Sequence, residues 1–423
     1  MFSHILDQPA AAALAGDKAR GTLAPSMLFS GPPGSGKGTA GLAFARLLSC
    51  KNPQAPPECA CESCVRHLIL THPDMLCLGS RAFSTEISAG NAALRREPGE
   101  RASRLCLVRG VRKLLARFSP VLWEDEPKFG KIAGSAAALE EALDELWTTE
   151  SAGHEALVKQ GDSIVKAALK LEAEGMSDLI PIGQIRRAAG WSRLAPLGKW
   201  KFLLIENADR MQDQARNSLL KILEEPPDRL FIILTACREK ALLPTITSRV
   251  RPYRFIRRTG ETEAQVIRAA FRDSPAGGMG IGAYLDSFLP VSENTLRALA
   301  ALLLVYIVHR IDSEEFRGLE DAAAAVAASA GIESRGMRLQ TVISTITAKA
   351  EKFEVRGLFP RFLALFLGIV SENRASSGAK GPAAVLWHKR VDEAARAAGI
   401  YNQSPALALE RLAVELRRDA ADT

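Results

Sequence analysis

The stretch that decides the fold is Ser30-Gly31-Pro32-Pro33-Gly34-Ser35-Gly36-Lys37-Gly38-Thr39. Its glycines allow successive backbone N–H groups to converge on phosphate oxygens, and the start of a following helix adds partial positive charge. A lysine placed seventh in such a loop reaches the terminal phosphates of a nucleotide. We therefore predict a phosphate site formed by Gly31, Pro32, Gly34, Ser35, Gly36, Lys37, Gly38 and Thr39.

One position of this loop departs from the usual P-loop pattern. The residue after the lysine is normally Ser or Thr, whose hydroxyl group holds Mg²⁺. Here that residue is Gly38, and a hydroxyl group follows only at Thr39. The loop therefore supports anion binding, with ATP or ADP as candidate ligands, and makes coordination of Mg²⁺ doubtful.

The flanking sequence supports the P-loop interpretation. Residues 26–29 are an apolar strand, and residues 40–48 have the composition of a helix. Continuous apolar strands also occur at 201–209 and 230–235, which is typical of a parallel sheet covered on both faces. We predict an α/β domain with a parallel sheet and flanking helices.

The strand at 201–209 ends in polar residues at the edge where ligands of a parallel sheet bind. An ATPase of this type places an Asp on the Mg²⁺ shell and a Glu to activate water there. This chain has Glu206 and Asn207. A glutamate can still reach the water shell of a metal, but an amide cannot act as a general base.

Four of the seven cysteines lie between residues 50 and 64, close behind the P-loop helix. Clustered thiols in a chain without export signals indicate a zinc site more often than a disulfide framework. The spacing of Cys61 and Cys64 lets both sulfurs face one tetrahedral ion. We predict a structural zinc site formed by Cys50, Cys59, Cys61 and Cys64, and core positions for Cys77, Cys106 and Cys237.

The composition is that of an ordinary globular protein: 423 residues, 47% apolar and 24% charged, with a net charge of +7. This charge permits contact with nucleic acid without requiring it. The basic clusters, among them the stretch from Arg95-Arg96 to Arg112-Lys113, could equally be solvated faces or rims of protein contacts. The longest apolar stretch, 296–308, is too short for a membrane span, and the first residues lack a signal peptide pattern. We expect a cytoplasmic protein without membrane contact.

Two regions lie outside the predicted sheet. Residues 75–182 carry helical periodicity that a compact P-loop sheet does not need, and we interpret them as a helical insertion. The insertion could be inert or could have a binding role. After residue 258 the pattern is nearly all helical, which predicts two helical units.

Together these residues resemble the bacterial clamp-loader subunits of the DNA polymerase III holoenzyme, a branch of the AAA+ ATPases. The resemblance spans most of the chain outside the insertion. It is carried by the P-loop, the thiol cluster, His72-Pro73-Asp74, Ala208 to Met211, Asn217 to Pro227 (NSLLKILEEPP) and Ser248-Arg249.

The resemblance implies three domains. Residues 1–257 would form the AAA+ P-loop domain, which includes the zinc module at 50–64. Residues 258–310 would form a small helical lid, and residues 311–423 an all-α collar domain for oligomerisation.

Within that family, the gamma/tau subunits hydrolyse ATP, whereas delta-prime has an eroded ATP site and acts as a rigid stator. This chain is more similar to delta-prime, because of Gly38, Asn207 and the collar-like segment Tyr401 to Glu410. The family's Ser-Arg-Cys motif corresponds to Ser248-Arg249-Val250. Its arginine reaches the ATP of a neighbouring subunit as an arginine finger, and the change of Cys to Val leaves that role open.

The resemblance therefore implies a function within an assembly. The chain would join gamma/tau and delta subunits and help to load the sliding clamp onto primed DNA for the DNA-directed DNA polymerase. It would hydrolyse little or no ATP alone.

Three alternatives remain at the sequence level. A gamma/tau-type ATPase would have the same motifs. A nucleoside monophosphate kinase has a similar Gly-Lys-Gly-Thr loop and binds Mg²⁺-ATP despite the glycine, but needs neither the thiol cluster nor the helical C-terminal third. A zinc-containing DNA-binding module would explain the thiols alone, although a structural zinc is simpler inside a P-loop domain.

Overall fold

The structure is a computed structural model that describes residues 5, 7–127, 129–149, 153–177, 179–311, 314–350, 358–377, 383–400 and 403–421. It divides into two compact units, Met1–Leu285 and Asp286–Thr423. Tyr401 and Asn402, which begin the C-terminal motif, lie outside the described residues.

A five-stranded parallel sheet forms the centre of the first unit. Its strands are β1 (Ser26–Ser30), β2 (Met75–Gly79), β3 (Lys201–Glu206), β4 (Leu230–Ala236) and β5 (Arg251–Arg254), in the order β2-β3-β4-β1-β5. Strands β1 to β4 are almost completely buried, because helices cover both faces. The α/β architecture predicted from the sequence is confirmed.

Thirteen α-helices of the described chain precede residue 287. They are α1 (Pro9–Arg20), α2 (Lys37–Ser49), α3 (Glu62–Leu68), α4 (Ser84–Arg96), α5 (Arg101–Leu115), α6 (Pro120–Trp123), α7 (Phe129–Thr148), α8 (His154–Gly175), α9 (Ile182–Ser192), α10 (Asp213–Glu224), α11 (Pro244–Thr247), α12 (Gly260–Phe271) and α13 (Ile281–Asp286).

Alternating side chains of each strand enter two different cores. Met27 and Phe29 of β1 pack with Phe44 of α2 on one face of the sheet. Leu28 packs with Leu219 of α10 on the opposite face. This period of two fixes the strand register, since a shift by one residue would exchange the two faces.

The helical insertion has a core of its own. Helices α4, α5, α7 and α8 pack around residues that include Leu107, Leu143 and Ile164. The insertion was predicted to begin near residue 75, but Met75–Gly79 form β2, which pairs with β3. The short run of five apolar residues could not be assigned from periodicity alone, because a buried strand and a buried helix segment look alike at this length.

Helices are the only regular secondary structure among the described residues of the second unit. Its helices surround one hydrophobic core that includes Leu303, Phe366 and Trp387. They are α14 (Glu293–Val308), α15 (Glu314–Ser329), α16 (Leu339–Lys349), α17 (Leu358–Ser377), α18 (Ala383–Ile400) and α19 (Pro405–Ala421). None of the described helices has the length and hydropathy needed to cross a membrane.

Candidate functional site

The P-loop lies between β1 and α2, as the sequence predicts. Gly31, Gly34 and Gly36 have φ values of +150°, +74° and +93°, in the region that favours glycine. A side chain at position 31 would also overlap with the backbone oxygen of Phe255. The three glycines are therefore required by the shape of the loop.

The lysine of the loop is bound to the loop itself. The Nζ atom of Lys37 donates hydrogen bonds to the backbone oxygens of Gly31 and Pro32, both at 2.6 Å, and to Ser35 Oγ at 3.3 Å. Its side chain is buried, and burial lowers the pKa of its amine. A phosphate group at this loop would have to compete with two carbonyl acceptors for the lysine.

A second cation, the guanidinium group of Arg258, contacts the loop. Arg258 Nη1 donates to the backbone oxygen of Gly34 at 2.5 Å. A Cβ atom at position 36 would lie 2.6 Å from Arg258 Nη2, so the guanidinium group packs directly on the loop.

The position of the missing hydroxyl group is next to Glu206. A Cβ atom at position 38 would overlap with Glu206 Oε1, so only glycine fits here without movement of the carboxylate. Glu206 forms ion pairs with Arg117 and, at 3.4 Å, with Arg81. The carboxylate that would face a metal ion is thus bound by two guanidinium groups of the chain.

These guanidinium groups belong to a larger charged cluster, which we call the Glu206 cluster: Arg81, Glu86, Lys113, Arg117 and Glu206. Glu86 accepts from Arg81 at 2.7 Å and from Lys113. Burial alone would raise the pKa of Glu206, but the charges of Arg81 and Arg117 hold that pKa below its usual value. The carboxylate therefore stays ionised and paired inside the fold.

An aromatic ring supports the two arginines. The guanidinium carbons of Arg81 and Arg117 lie 4.2 Å and 5.3 Å from the ring centroid of Phe83. The Phe83 backbone N–H donates to the buried carboxylate of Glu172 at 2.7 Å. Such cation–π contacts and buried hydrogen bonds hold the cluster in one arrangement.

The remaining predicted ligands have structural partners or face solvent. Asn207 has a left-handed backbone with φ +53°, and its side-chain nitrogen donates to the backbone oxygen of Ser80 at 2.9 Å. Ser35 Oγ donates to the Pro32 oxygen at 2.8 Å, and Thr39 is exposed.

The residues at this edge do not fit a bound Mg²⁺ ion. A hydroxyl ligand is missing at Gly38, and the nearest carboxylate, Glu206, is neutralised by Arg117 and Arg81. Mg²⁺ prefers free carboxylate, hydroxyl and water oxygens in an octahedral arrangement. No catalytic step through a metal ion follows from this geometry.

Arg249 lies at a different edge of the sheet domain, between α11 and β5. Its Nη2 atom is 2.9 Å from Glu224 Oε1, and its Nη1 atom donates to the Thr245 oxygen at 2.8 Å. The side chain is 35% exposed. The structure therefore presents Arg249 at the surface, where a partner molecule can reach it.

The four predicted zinc ligands come together at the junction of α2 and α3. Cys50 follows the last residue of α2, and Cys61 directly precedes α3, which carries Cys64. The sulfur atoms of Cys50, Cys59, Cys61 and Cys64 all lie within 4.8 Å of one another, and those of Cys50 and Cys59 are 3.6 Å apart.

This thiol arrangement fits a tetrahedral metal ion. Zn–S bonds of about 2.3 Å require sulfur atoms roughly 3.8 Å apart in a tetrahedron. Burial acts to raise the pKa of Cys61, but hydrogen bonds from the backbone of Lys51 and Cys64 bring it to about 6. Arg46 Nη1 lies 3.3 Å from Cys64 Sγ and adds a positive charge near the sulfurs. The positions and chemistry of the four sulfurs therefore fit a tetrahedral zinc ion.

Two sequence-based expectations about single residues are wrong. Cys237 is exposed and Cys106 only partly buried, although both were assigned to the core. The pair at 112–113 is not a solvated basic face. Lys113 pairs with Glu86, and the buried Arg112 pairs with Asp144. The partner of Arg112 lies on α7 and that of Lys113 on α4, so neighbouring helices of the insertion take up both charges.

The sequence analysis missed the cations that pair with Glu206. Arg81 and Arg117 are 125 and 89 positions away from Glu206, and no local motif links them. One signal was present: Arg81 follows an apolar run of five residues, which suggests the carboxyl end of another parallel strand. If β2 had been recognised, Arg81 would have been placed beside Glu206.

Comparisons with known proteins identify the family. A sequence model of the family described as "DNA polymerase III, delta subunit" matches residues 7–119 and 157–259, which leaves 120–156 unmatched inside the insertion. The DNA polymerase III subunit delta' of Pseudomonas aeruginosa is 40% identical over 80 residues, which is 19% of this chain and 24% of that protein.

A solved structure of a DNA polymerase III gamma subunit-related protein from Thermotoga maritima is 19% identical. The alignment of the two structures covers 57% of this chain and 80% of that chain, with a TM-score of 0.28. The family model, in contrast, matches just over half of the chain and includes the P-loop, the thiol cluster and Arg249. This chain therefore belongs to the DNA polymerase III delta-subunit family of clamp-loader proteins.

Proposed function

We propose that this chain is a delta-prime-type stator of a DNA polymerase III clamp loader, and that it does not itself hydrolyse ATP. The observation that carries this proposal is the pairing of Glu206 with Arg117 and Arg81 beside Gly38. Hydrolysis in P-loop proteins depends on a metal ion and an activated water. Here Gly38 offers no hydroxyl ligand, Glu206 is paired with two arginines, and the amide Asn207 occupies the position of the general base.

The proposed partners follow from the family and from the relative named delta'. The chain would assemble with gamma/tau and delta subunits, and through the complex it would act on the sliding clamp and primed DNA. We assign this assembly role to residues 311–423 as a collar. Residues 1–257 would form the AAA+ domain and 258–310 its lid; α14 (Glu293–Val308), at the end of that range, shares its hydrophobic core with the helices of the second unit.

Arg249 is the residue through which this chain would take part in catalysis. An arginine finger supplied in trans stabilises the charge that develops on a transferred γ-phosphoryl group. The partly exposed guanidinium of Arg249, at the surface of the sheet domain, supports this role. The chain would thus complete the ATP site of a neighbouring gamma-type subunit.

The test is ATP hydrolysis by a reconstituted loader in which only the site next to this chain remains active. We expect Arg249→Ala to lower hydrolysis at that site by about a thousandfold or more. Arg249→Lys should not restore the rate, because a lysine lacks the planar fork of donors. Unchanged turnover in Arg249→Ala would rule out the finger.

The isolated chain distinguishes a stator from a gamma/tau-type ATPase, the main alternative. A stator shows no hydrolysis above the rate of a Lys37→Ala variant. Hydrolysis by the wild-type chain that Lys37→Ala abolishes would favour the gamma/tau assignment.

We also propose that the four-thiol cluster binds a structural zinc ion that stabilises the segment between α2 and α3. Metal analysis of the purified chain should give one zinc per chain. Replacement of Cys61 and Cys64 by Ser should remove the zinc, whereas Cys106→Ser, a substitution outside the cluster, should retain it. Zinc that stays bound in the Cys61/Cys64 variant would contradict the site.

A further inference from the structure

The guanidinium of Arg249 is held in two chemically different ways. One is the charged pair with Glu224 Oε1 at 2.9 Å, and the other is hydrogen bonding to neutral oxygens, the Thr245 backbone oxygen at 2.8 Å and Ser248 Oγ at 3.4 Å. The backbone contact fixes where the side chain lies. The carboxylate contact adds a negative charge that would be in competition with any anionic ligand of the arginine.

The fold fixes the position of this carboxylate. Glu224 is the last residue of α10, and Pro226 and Pro227 follow and prevent the helix from continuing. The preceding Ile222 and Leu223 are buried in the sheet core, which anchors the helix end. Glu224 therefore meets Arg249 from a rigid element.

The ion pair between Arg249 and Glu224 is exposed enough for another anion to replace the carboxylate. The side chains of Arg249 and Glu224 are 35% and 49% exposed. Ion pairs of this kind add little to the stability of a protein, so a phosphate group can replace the carboxylate at small cost. Arginine has five N–H donors, and the bond to Thr245 can persist during the exchange.

We propose that Glu224 is a positioning residue for Arg249. It pairs with the guanidinium in the free subunit and releases it to a phosphate group of the ATP bound by the neighbouring subunit. This inference rests on the proposed finger role of Arg249. Glu224 would set how strongly the finger competes for the phosphate, and it would touch neither ATP nor the reacting atoms.

The test compares Glu224→Gln with the wild-type chain in the reconstituted loader described above. Glutamine keeps the length and an oxygen acceptor but removes the charge. We expect kcat/KM for ATP to rise about three- to fivefold at low salt, mainly through a lower KM, since up to about 1 kcal/mol of competition is removed. The ratio to wild type should approach one at about 0.5 M salt, where exposed charges are screened.

Three further variants make the result specific. Glu225→Gln makes the same charge change one residue away, and Glu225 has no ion pair among the residues that the structure describes, so its kcat/KM should equal that of wild type. Glu224→Asp keeps the charge and should remain close to wild type. Glu224→Gln should have no effect when combined with Arg249→Ala.

The outcomes separate this inference from the finger itself. If Arg249→Ala lowers hydrolysis but Glu224→Gln leaves kcat/KM unchanged or lowers it, Glu224 has no such role while the finger stands. If Arg249→Ala has no effect, the finger and the inference that depends on it are both overturned. A rise in kcat/KM shared by Glu225→Gln would indicate a general charge effect and would also overturn the role of Glu224.

Discussion

Two edges of the sheet domain bring arginine and glutamate side chains together, with opposite consequences. At the end of β3, Glu206 pairs with Arg117 and Arg81, whose side chains are only 4% and 25% exposed. In front of β5, Arg249 pairs with Glu224 at the surface. Burial decides whether such a pair is a fixed part of the fold or can be exchanged for a partner's charge.

The energetic difference follows from solvation. Removal of one partner from a buried ion pair leaves an uncompensated charge, which costs about 3 to 5 kcal/mol. Removal of one partner from an exposed pair costs about 0 to 1 kcal/mol. Glu206 therefore depends on its buried partners, whereas Arg249 can lose its partner at small cost.

The largest effect is expected for Arg117→Ala. Because the variant leaves Glu206 buried without its nearest cation, the free energy of unfolding should fall by about 3 kcal/mol. Arg95→Ala, which removes an exposed insertion arginine paired with Asp162, should cost less than about 1 kcal/mol. Urea unfolding measures both. Equal losses in the two variants would remove the distinction between the buried and the exposed pairs.

A smaller loss is expected for Gly38→Ala. Its Cβ atom would overlap with Glu206 Oε1, and overpacking of this kind costs about 1 to 3 kcal/mol. Gly130, the second residue of α7 as Gly38 is of α2, has open space where a Cβ atom would lie, so Gly130→Ala should be neutral or slightly stabilising. Thermal unfolding of the two variants checks this; a stabilised Gly38→Ala chain would show that Glu206 does not need glycine at position 38.

The smallest effect on stability is expected for Arg249→Ala. Its side chain is partly exposed and its ion pair lies at the surface, so the free energy of unfolding should change by less than about 1 kcal/mol. The same urea experiment measures this change. A loss of several kcal/mol would mean that Arg249 is a structural residue, and a loss of loader activity in the variant could then reflect unfolding.

The sequence was sufficient for features that depend on neighbouring residues. The strand, loop and helix around Lys37 were predicted correctly, and the four thiols meet as the sequence predicts, because each feature is encoded within a few tens of residues. The zinc ion at these thiols stays a prediction. The missing hydroxyl at Gly38 was also visible. The physical reason for glycine at this position was not visible, because it is the Glu206 carboxylate, 168 positions away in the sequence.

The Glu206 cluster could not be predicted because its members meet only in the folded chain. Arg81 follows β2, Lys113 belongs to α5, and Arg117 lies in the short 3₁₀-helix after α5. A basic residue on a predicted helix gives no sign of whether another element will cover it. Strand β2 was missed for a related reason, since its five residues are too few to show a period.

The most direct test of the account is a calorimetric titration of the isolated full-length chain with ATP in the presence and absence of Mg²⁺. The account predicts no Mg²⁺-dependent binding up to about 1 mM nucleotide, since Arg117 and Arg81 already neutralise Glu206. Saturable binding at micromolar ATP that requires Mg²⁺ would contradict it.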